Sequence, residues 1–524
     1  MGLEVLVIDS GSRDHSVDIA RAAGVSVLEI EPASFGHGRT RNMGAPRTSG
    51  ELVGFLTQDA TPVRQCRESD HVEAGDSCRR RARDGLARLA VVQPWLAVLC
   101  ILAVALALRL GFVFATPGYT PRHDDRHYDR LACTIVIAGH YPVRPADADR
   151  ESCGSMPAGR NAPTAFRPPG YPVFLAGVHV AGDPLPVERW TRARVANALL
   201  GTLAVALVGL IAMHFWSRRV ALVAMAVMAV DLPLILVGGS LMSETLFVAL
   251  VLGAVLAALQ SGTARRPIAW AVGAGVLIGL ATLTRPTGLV LAIPLGLAVA
   301  RRSPRRPAAA LVLVIAIAMT IAPWTARNAV QMHAFIPVSD FTGSWVAGTY
   351  NDQARADKEH PGSSQTFVAG EFDDLEGVPE VERQRELTRR GLEYAADHPG
   401  YVAQVLLHNT MRLLNLEGSS WWRRKGGGIS LPIWATDAAA YAFYAIALLA
   451  LAGALTPAAR RAPRWLWLAP ILLFASVILA GSAIRYRAPI EPFLALLAAL
   501  ALTARDRQQP LQAPRCNGHA DGEP

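Results

Sequence analysis

The run VQPWLAVLCILAVALALRLGFVFA, residues 92–115, decides the fold class. It holds a single charge, Arg109, and follows a basic cluster of Arg79, Arg80, Arg81, Arg83 and Arg88. A helix needs about 20 apolar residues to cross a hydrocarbon core of roughly 30 Å, so this run is expected to span a bilayer. It begins some ninety residues into the chain and lacks a small-residue cleavage site, which argues for a signal anchor rather than a cleaved leader.

Nine further apolar runs follow, at 193–216, 220–238, 241–260, 268–284, 289–300, 308–323, 437–456, 465–484 and 488–503. The arginines fall between them in a regular way. Arg218 with Arg219, Arg265 with Arg266, Arg301 to Arg306, and Arg460 to Arg464 occupy every second connector. The positive-inside rule then predicts ten spans with both termini cytoplasmic, and two long outer segments, 116–192 and 324–436. The expected organisation is a fragment at 1–62, a polar and basic linker at 63–91, a membrane module at 92–323, a loop domain at 324–436, closing spans at 437–505 and a tail at 506–524.

Composition agrees. The 524 residues are 52% hydrophobic and 18% charged, against about 25% charged in soluble domains, and disorder is excluded by the same balance. The net charge of +9 is nearly all arginine, since Lys358 and Lys425 are the only lysines. A nucleic-acid footprint would place basic residues along one face. These sit in short connectors between apolar runs instead, so they report topology and no nucleic-acid partner is expected.

At the N-terminus, Leu3–Ile8 reads as a strand, Ser16–Ala23 as a helix closed by Gly24, Val25–Ile30 as a second strand, Gly38–Arg47 as a helix and Leu52–Leu56 as a third strand. Alternation of this kind implies a parallel sheet. VIDSGSRDHSVDIA, FGHGRTRNMGA and FLTQDATP (residues 7–20, 35–45 and 55–62) resemble the opening of family 2 glycosyltransferases of the rhamnosyl type, which have a GT-A fold and use nucleotide-sugar donors. The resemblance implies that Asp9 contacts the nucleotide and Asp59 the metal and sugar diphosphate. It stops near Pro62, without the acceptor half, and about 60 residues cannot bury a core of that kind. The fragment reads as a vestige or fusion scar, the alternative being a working nucleotide-binding module of a bifunctional enzyme.

After the first span come His123-Asp124-Asp125-Arg126-His127-Tyr128-Asp129 and then Arg167-Pro168-Pro169-Gly170-Tyr171-Pro172. Met242-Ser243-Glu244, Thr284-Arg285-Pro286, Trp324-Thr325-Ala326-Arg327-Asn328 and Arg485-Tyr486-Arg487 follow. Over about 92–503 this order resembles the GT-C membrane glycosyltransferases of the protein mannosyltransferase and aminoarabinose transferase type. The resemblance implies a mainly α, polytopic helical bundle in the bacterial inner membrane. It also implies inverting transfer of a sugar from a polyprenyl-phosphate donor to an acceptor hydroxyl at the outer face. One carboxylate must take the acceptor proton, and cations must meet the charge growing on the departing phosphate. Asp124 and Asp125 are the candidates for base, with Asp125 favoured and an N-cap the other role for Asp124. Arg485, Arg487 and Arg285 are the candidates for phosphate binding. Glu244 and Tyr128 are expected to support them, Glu244 by pairing with an arginine such as Arg285.

Asp129, one turn beyond Asp125, reads as structural, and Arg327 as an interfacial anchor. Arg109 in the first span reads as a functional or snorkelling residue. Cys133 and Cys153 share the first outer segment, where pairing is one possibility and two free thiols the other. Neither a cofactor nor a resident metal is expected, a divalent cation being the one allowance. The run beginning at Arg167 is too short to span and is expected to border the cavity. In the loop domain, Leu387, Gly391, Tyr394 and Ala395 have helical spacing, broken at His398-Pro399-Gly400, and Trp421 and Trp422 suit a headgroup-level belt. A transporter of lipid-linked glycan is the competing class, although the internal repeat such folds carry is not evident.

Overall fold

The structure is a computed structural model that describes residues 6–9, 16–22, 24–31, 94–122, 124–139, 141, 163–262, 266–302, 306–360, 362–363, 372–375, 377–426, 433–479, 481 and 483–504. The chain divides into two units, Met1–Ala90 and Val91–Pro524.

In the first unit, strands Leu6–Asp9 and Ser26–Glu29 pair in parallel, with Leu6 opposite Ser26 and Asp9 opposite Glu29. The helix Ser16–Ala22 connects them. Its end shows why glycine stands at position 24. Gly24 adopts φ 71°, and its N–H and that of Val25 return to the carbonyls of Arg21 and Ala20, so two carbonyls that the helix end would orphan are satisfied. Asp9 closes the first strand. The expected helix at 38–47, the third strand and Asp59 lie outside the described residues.

The described residues of the second unit are mainly helical. Among the described residues, five helices are long and apolar enough to cross a membrane: Trp95–Ala115, Arg189–Phe215, Pro267–Thr284, Pro307–Met332 and Ile433–Ala454. Arg218–Ala229 and Leu232–Gly238 qualify together as a span bent by 54°. Glu244–Gln260, Pro286–Arg301, Arg464–Ile478 and Glu491–Ala504 are shorter apolar helices. Each of the ten stretches read from the sequence thus contains helix, though four fall short of a full crossing by length. Large apolar side chains such as Leu99, Leu210, Met319 and Leu448 stay exposed on the bundle surface, the arrangement a hydrocarbon solvent permits.

The bent span has a local cause. Asp231-Leu232-Pro233 interrupts it, and Pro233 removes a backbone donor from the first turn of the second piece. The Asp231 carboxylate accepts from the Leu234 N–H at 3.2 Å, capping the new helix. On the other side of the break, Arg109 donates to the carbonyls of Met228 and Ala229, both at 3.2 Å, as well as to Ala105 on its own helix. At 3% exposure Arg109 does not snorkel. It mends the backbone where the helix breaks.

Close helix crossings rest on glycine. A Cβ on Gly453 would lie 1.8 Å from the carbonyl oxygen of Leu497 on helix Glu491–Ala504, and one on Gly275 would lie 2.5 Å from that of Leu313. Small residues at such crossings let backbones approach within van der Waals range. Gly453→Ala should therefore push helices Ile433–Ala454 and Glu491–Ala504 apart and cost about 1–3 kcal/mol, as overpacking does. A lowered midpoint in detergent thermal unfolding is the expected reading, and an unchanged one would remove this account of the crossing.

The loop domain contains the helices Thr342–Thr349, Glu380–Asp397, Pro399–Leu413 and Ser419–Gly426. Leu387 and Gly391 face its interior as the spacing implied. The two tryptophans do not form a headgroup belt. Trp421 is fully buried beneath the Arg412 guanidinium, 4.4 Å from its ring centroid. Trp422 is 7% exposed and donates its indole N–H to Asp437 at 2.8 Å. An indole that finds a carboxylate or a cation inside the protein has no need of the lipid interface.

Candidate functional site

A cavity of about 180 Å³ opens where several helix ends meet. Asp124 and Tyr128 come from the helix Asp124–Ala138 that follows the first span. Arg167 and Pro168 precede the helix Gly170–Gly182. Glu244 is the first residue of its helix. Arg285 follows the last residue of Pro267–Thr284, and Arg485 lies in the short 3-10 turn Ile484–Arg487. The remaining wall is largely apolar and aromatic, with Phe166, Met242, Pro286, Phe341, Trp345 and Val477. Close approach at Gly170 sets the Arg167 segment against the bundle, since a Cβ there would meet the Thr284 hydroxyl at 2.6 Å and the Leu283 carbonyl at 2.9 Å.

The charged groups form one chain. Asp124 pairs with Arg167 through one carboxylate oxygen and with Arg485 through the other. Arg485 Nε also reaches Glu244 Oε1 at 3.0 Å, and Arg285 Nη1 reaches the same oxygen at 2.7 Å. Arg285 donates further to the Ser243 hydroxyl at 3.3 Å. The Tyr486 ring is shared between the guanidiniums of Arg285, at 4.7 Å, and Arg485, at 5.1 Å. Arg167 Nε donates to His127 Nδ1 at 3.3 Å, which requires a lone pair on that nitrogen. Three guanidiniums against two carboxylates leave the wall with a positive excess.

Burial by itself would raise the Asp124 carboxyl, but the guanidiniums of Arg167 and Arg485 outweigh it and hold the group well below the usual carboxylate range. Burial keeps the Tyr128 phenol above its ordinary value, so it stands as a neutral O–H.

The neighbouring aspartate has a different setting. Asp125 is fully buried and does not line the cavity. Its carboxylate accepts from the Tyr119 hydroxyl at 2.7 Å and from the backbone N–H groups of Arg122 and Arg126 at 3.0 and 2.9 Å. It locks the turn into the helix that Asp124 leaves facing the cavity. Adjacent helical positions point about 100° apart, so the two carboxylates face different surroundings. Arg487 also stands apart from the cavity wall. Its Nε pairs with Glu491 at 2.7 Å, its Nη1 donates to the Leu413 carbonyl at 2.8 Å, and it covers the Phe443 ring at 3.5 Å. Of the expected cations, Arg485 and Arg285 meet at the cavity. Arg167 joins them: the run it begins borders the cavity as expected, although its guanidinium had not been counted among the phosphate-binding candidates.

Asp129, Cys133 and His179 place ligand atoms within 4.8 Å of one another. Cys133 is disulfide-bonded, its partner falling outside the described residues, as Cys153 does. A disulfide sulfur is no thiolate, so two ligands remain, and Asp129 is already held by Arg189 and by the Trp190 indole, each at 2.9 Å. Arg327 donates to the Thr164 carbonyl at 2.8 Å and stacks on Trp324 at 4.9 Å.

Residues 168–325 match the family model described as dolichyl-phosphate-mannose-protein mannosyltransferase, and residues 1–69 match that of glycosyl transferase family 2. The O-antigen chain rhamnosyltransferase of Salmonella typhimurium is 41% identical over 59 residues, which are 11% of this chain and 19% of that protein. Among solved structures, the apo oligosaccharyltransferase of Archaeoglobus fulgidus is 15% identical with a TM-score of 0.48, covering 79% of this chain and 50% of that one. ArnT from Cupriavidus metallidurans bound to undecaprenyl phosphate is 17% identical with a TM-score of 0.41, covering 80% and 60%. The chain thus spans about half the length of the oligosaccharyltransferase and a fifth of the rhamnosyltransferase.

Proposed function

We propose that the protein is an integral membrane glycosyltransferase that moves a sugar from a polyprenyl-phosphate donor to an acceptor hydroxyl at the extracytoplasmic face, with inversion. The observation that carries this reading is the cavity itself, where three guanidiniums and two carboxylates share a largely apolar wall. The match of residues 168–325 to the mannosyltransferase family model supports it.

Arg485, Arg285 and Arg167 supply forked donors for phosphate oxygens, and Met242, Pro286 and Val477 give the prenyl chain an apolar bed. Glu244, 1% exposed, fixes Arg285 and Arg485 at a common oxygen. Asp124 is the base. It is tied to Arg167 and Arg485; when those guanidiniums turn to the donor phosphate, its counter-ions leave and its basicity rises. The acceptor oxygen then attacks the anomeric carbon from the face opposite the phosphate. Its proton passes to Asp124, and the bond from carbon to phosphate oxygen breaks with its electron pair going to the polyprenyl phosphate. Tyr128, neutral and beside the wall, orients the acceptor. The N-terminal fragment has no part in this transfer.

Reconstituted full-length protein given a radiolabelled polyprenyl-phosphate sugar and a mixed cell-envelope acceptor fraction should release free polyprenyl phosphate as label enters the acceptor. Movement of intact donor across the bilayer without cleavage would instead establish the transporter class.

A further inference from the structure

Outside the charged chain of the cavity lies a second pair of acidic residues, on the segments that meet the Arg167 turn. Glu380, first residue of the helix Glu380–Asp397, accepts from the Thr164 hydroxyl with both oxygens, at 2.9 and 2.7 Å, and from the Ala165 N–H at 2.9 Å. The Asp340 N–H donates to the Ala165 carbonyl at 3.1 Å, and the Asp340 carboxyl meets that of Glu380. Both Asp340 carboxyl oxygens are shut off from solvent and find no N–H or hydroxyl donor from another residue among the described residues. Two carboxyls in contact cannot both ionise without mutual repulsion, which favours a proton held between them.

What this arrangement holds is the cavity wall. Thr164 Oγ1 accepts in turn from the Phe166 N–H at 3.1 Å. Phe166 packs on Phe341 with ring centroids 4.7 Å apart, and the Arg167 guanidinium lies 4.8 Å from the same ring. Asp340 directly precedes Phe341. We propose that Asp340 and Glu380 are a one-proton carboxyl clamp, a pair of positioning residues that fastens the loop domain to the Thr164–Arg167 turn and thereby sets Arg167 in the cavity. The contribution of Arg167 to phosphate binding rests on the function proposed above; the clamp does not.

The charges facing the pair are Arg383 on the Glu380 helix, Arg327 from Arg306–Met332, and the Tyr141 hydroxyl, which lies beside Arg327 and Glu380. Arg383 favours ionisation. Burial and the adjacent Glu380 prevail and push the Asp340 carboxyl up to about 8. A group raised in the docked state stabilises docking fully below its ordinary value, near 3.8, and loses that contribution as pH rises through about 8. Above that, two carboxylates repel inside the joint.

Hydrogen exchange of the full chain in lipid nanodiscs reads the clamp directly. After correction for intrinsic rates, the peptide containing Ala165 and Phe166 should lose about tenfold protection between pH 7 and 9. Asp340→Asn supplies the missing hydrogen permanently through its carboxamide, so the step should vanish. A protonated-carboxyl infrared band should disappear near pH 8 in the wild type and be missing from the variant. Should Asp340→Asn fail to fold, Glu380→Gln makes the same test, since its amide donates to ionised Asp340. An identical loss of protection in wild type and variant, or no carboxyl band titrating near pH 8, overturns the clamp. Polyprenyl phosphate should bind about tenfold more weakly at pH 9 than at pH 7 in the wild type alone. Binding that stays constant through the exchange step overturns the positioning of Arg167. Absence of binding at every pH sinks the reading of the cavity and leaves the exchange result to judge the clamp.

Discussion

Asp124→Asn is expected to lower turnover by about 10²–10⁴-fold, the usual weight of general-base catalysis, while polyprenyl phosphate still binds. The amide keeps the shape of the carboxylate and an acceptor for one guanidinium, but it cannot take a proton. Asp125→Asn should behave differently. The Asp125 carboxylate is satisfied by Tyr119 and two backbone N–H groups, so its loss should cost about 1–3 kcal/mol of stability through weakened buried hydrogen bonds and leave turnover of the folded fraction largely intact. The pH profile adds a check. Because Arg167 and Arg485 hold the Asp124 carboxyl down, its ion pairs are present above the ordinary carboxylate value of about 4 and fail only as pH falls below it. No acid limb from this group is expected between pH 5 and 7 in kcat/KM, which reports the free protein, whereas kcat, set after the guanidiniums turn to the phosphate, can carry one. Full turnover in Asp124→Asn would remove it as the base.

Arg485→Met and Arg487→Met, two residues apart, should fail in opposite ways. Arg485 touches both carboxylates of the cavity, and a charge-assisted hydrogen bond contributes about 1.5–3 kcal/mol. Its loss should weaken polyprenyl-phosphate binding by about 10–150-fold with a modest effect on unfolding. Arg487 and Glu491 are each 3% exposed. Removing one partner of such a pair strands a buried charge, at about 3–5 kcal/mol, so Arg487→Met should appear as lost folded protein. Tritiated polyprenyl-phosphate binding beside detergent thermal unfolding separates the two. Equal loss of binding in folded samples of both variants would show that the 3-10 turn works as a unit and undo the distinction.

The membrane spans were legible because they rest on local arithmetic. A run such as 92–115 can hide neither its length nor the arginines before it, and helix in hydrocarbon follows from the backbone's need for internal partners. The pairing of Glu244 with Arg285 was legible for a related reason, as ionised groups at span ends are too costly to leave single. The tryptophan belt was misread because indole chemistry fits two environments, and only packing shows that Arg412 and Asp437 had claimed Trp421 and Trp422.

What sequence determined, then, was membrane class, the order of the apolar helices, the alternation of their basic connectors and most of the charged groups that line the cavity. Tertiary structure decided which of them meet. Asp124 and Asp125 are chemically identical neighbours, as Arg485 and Arg487 nearly are, and their surroundings differ by the rotation of a helical turn that no composition records. Asp124 and Arg485 are separated by 361 positions and form one ion pair. Sequence pattern resolves periods of a few residues, whereas a site built from helix ends is fixed by how those helices cross, and that depends on side-chain volumes and backbone approach throughout the bundle.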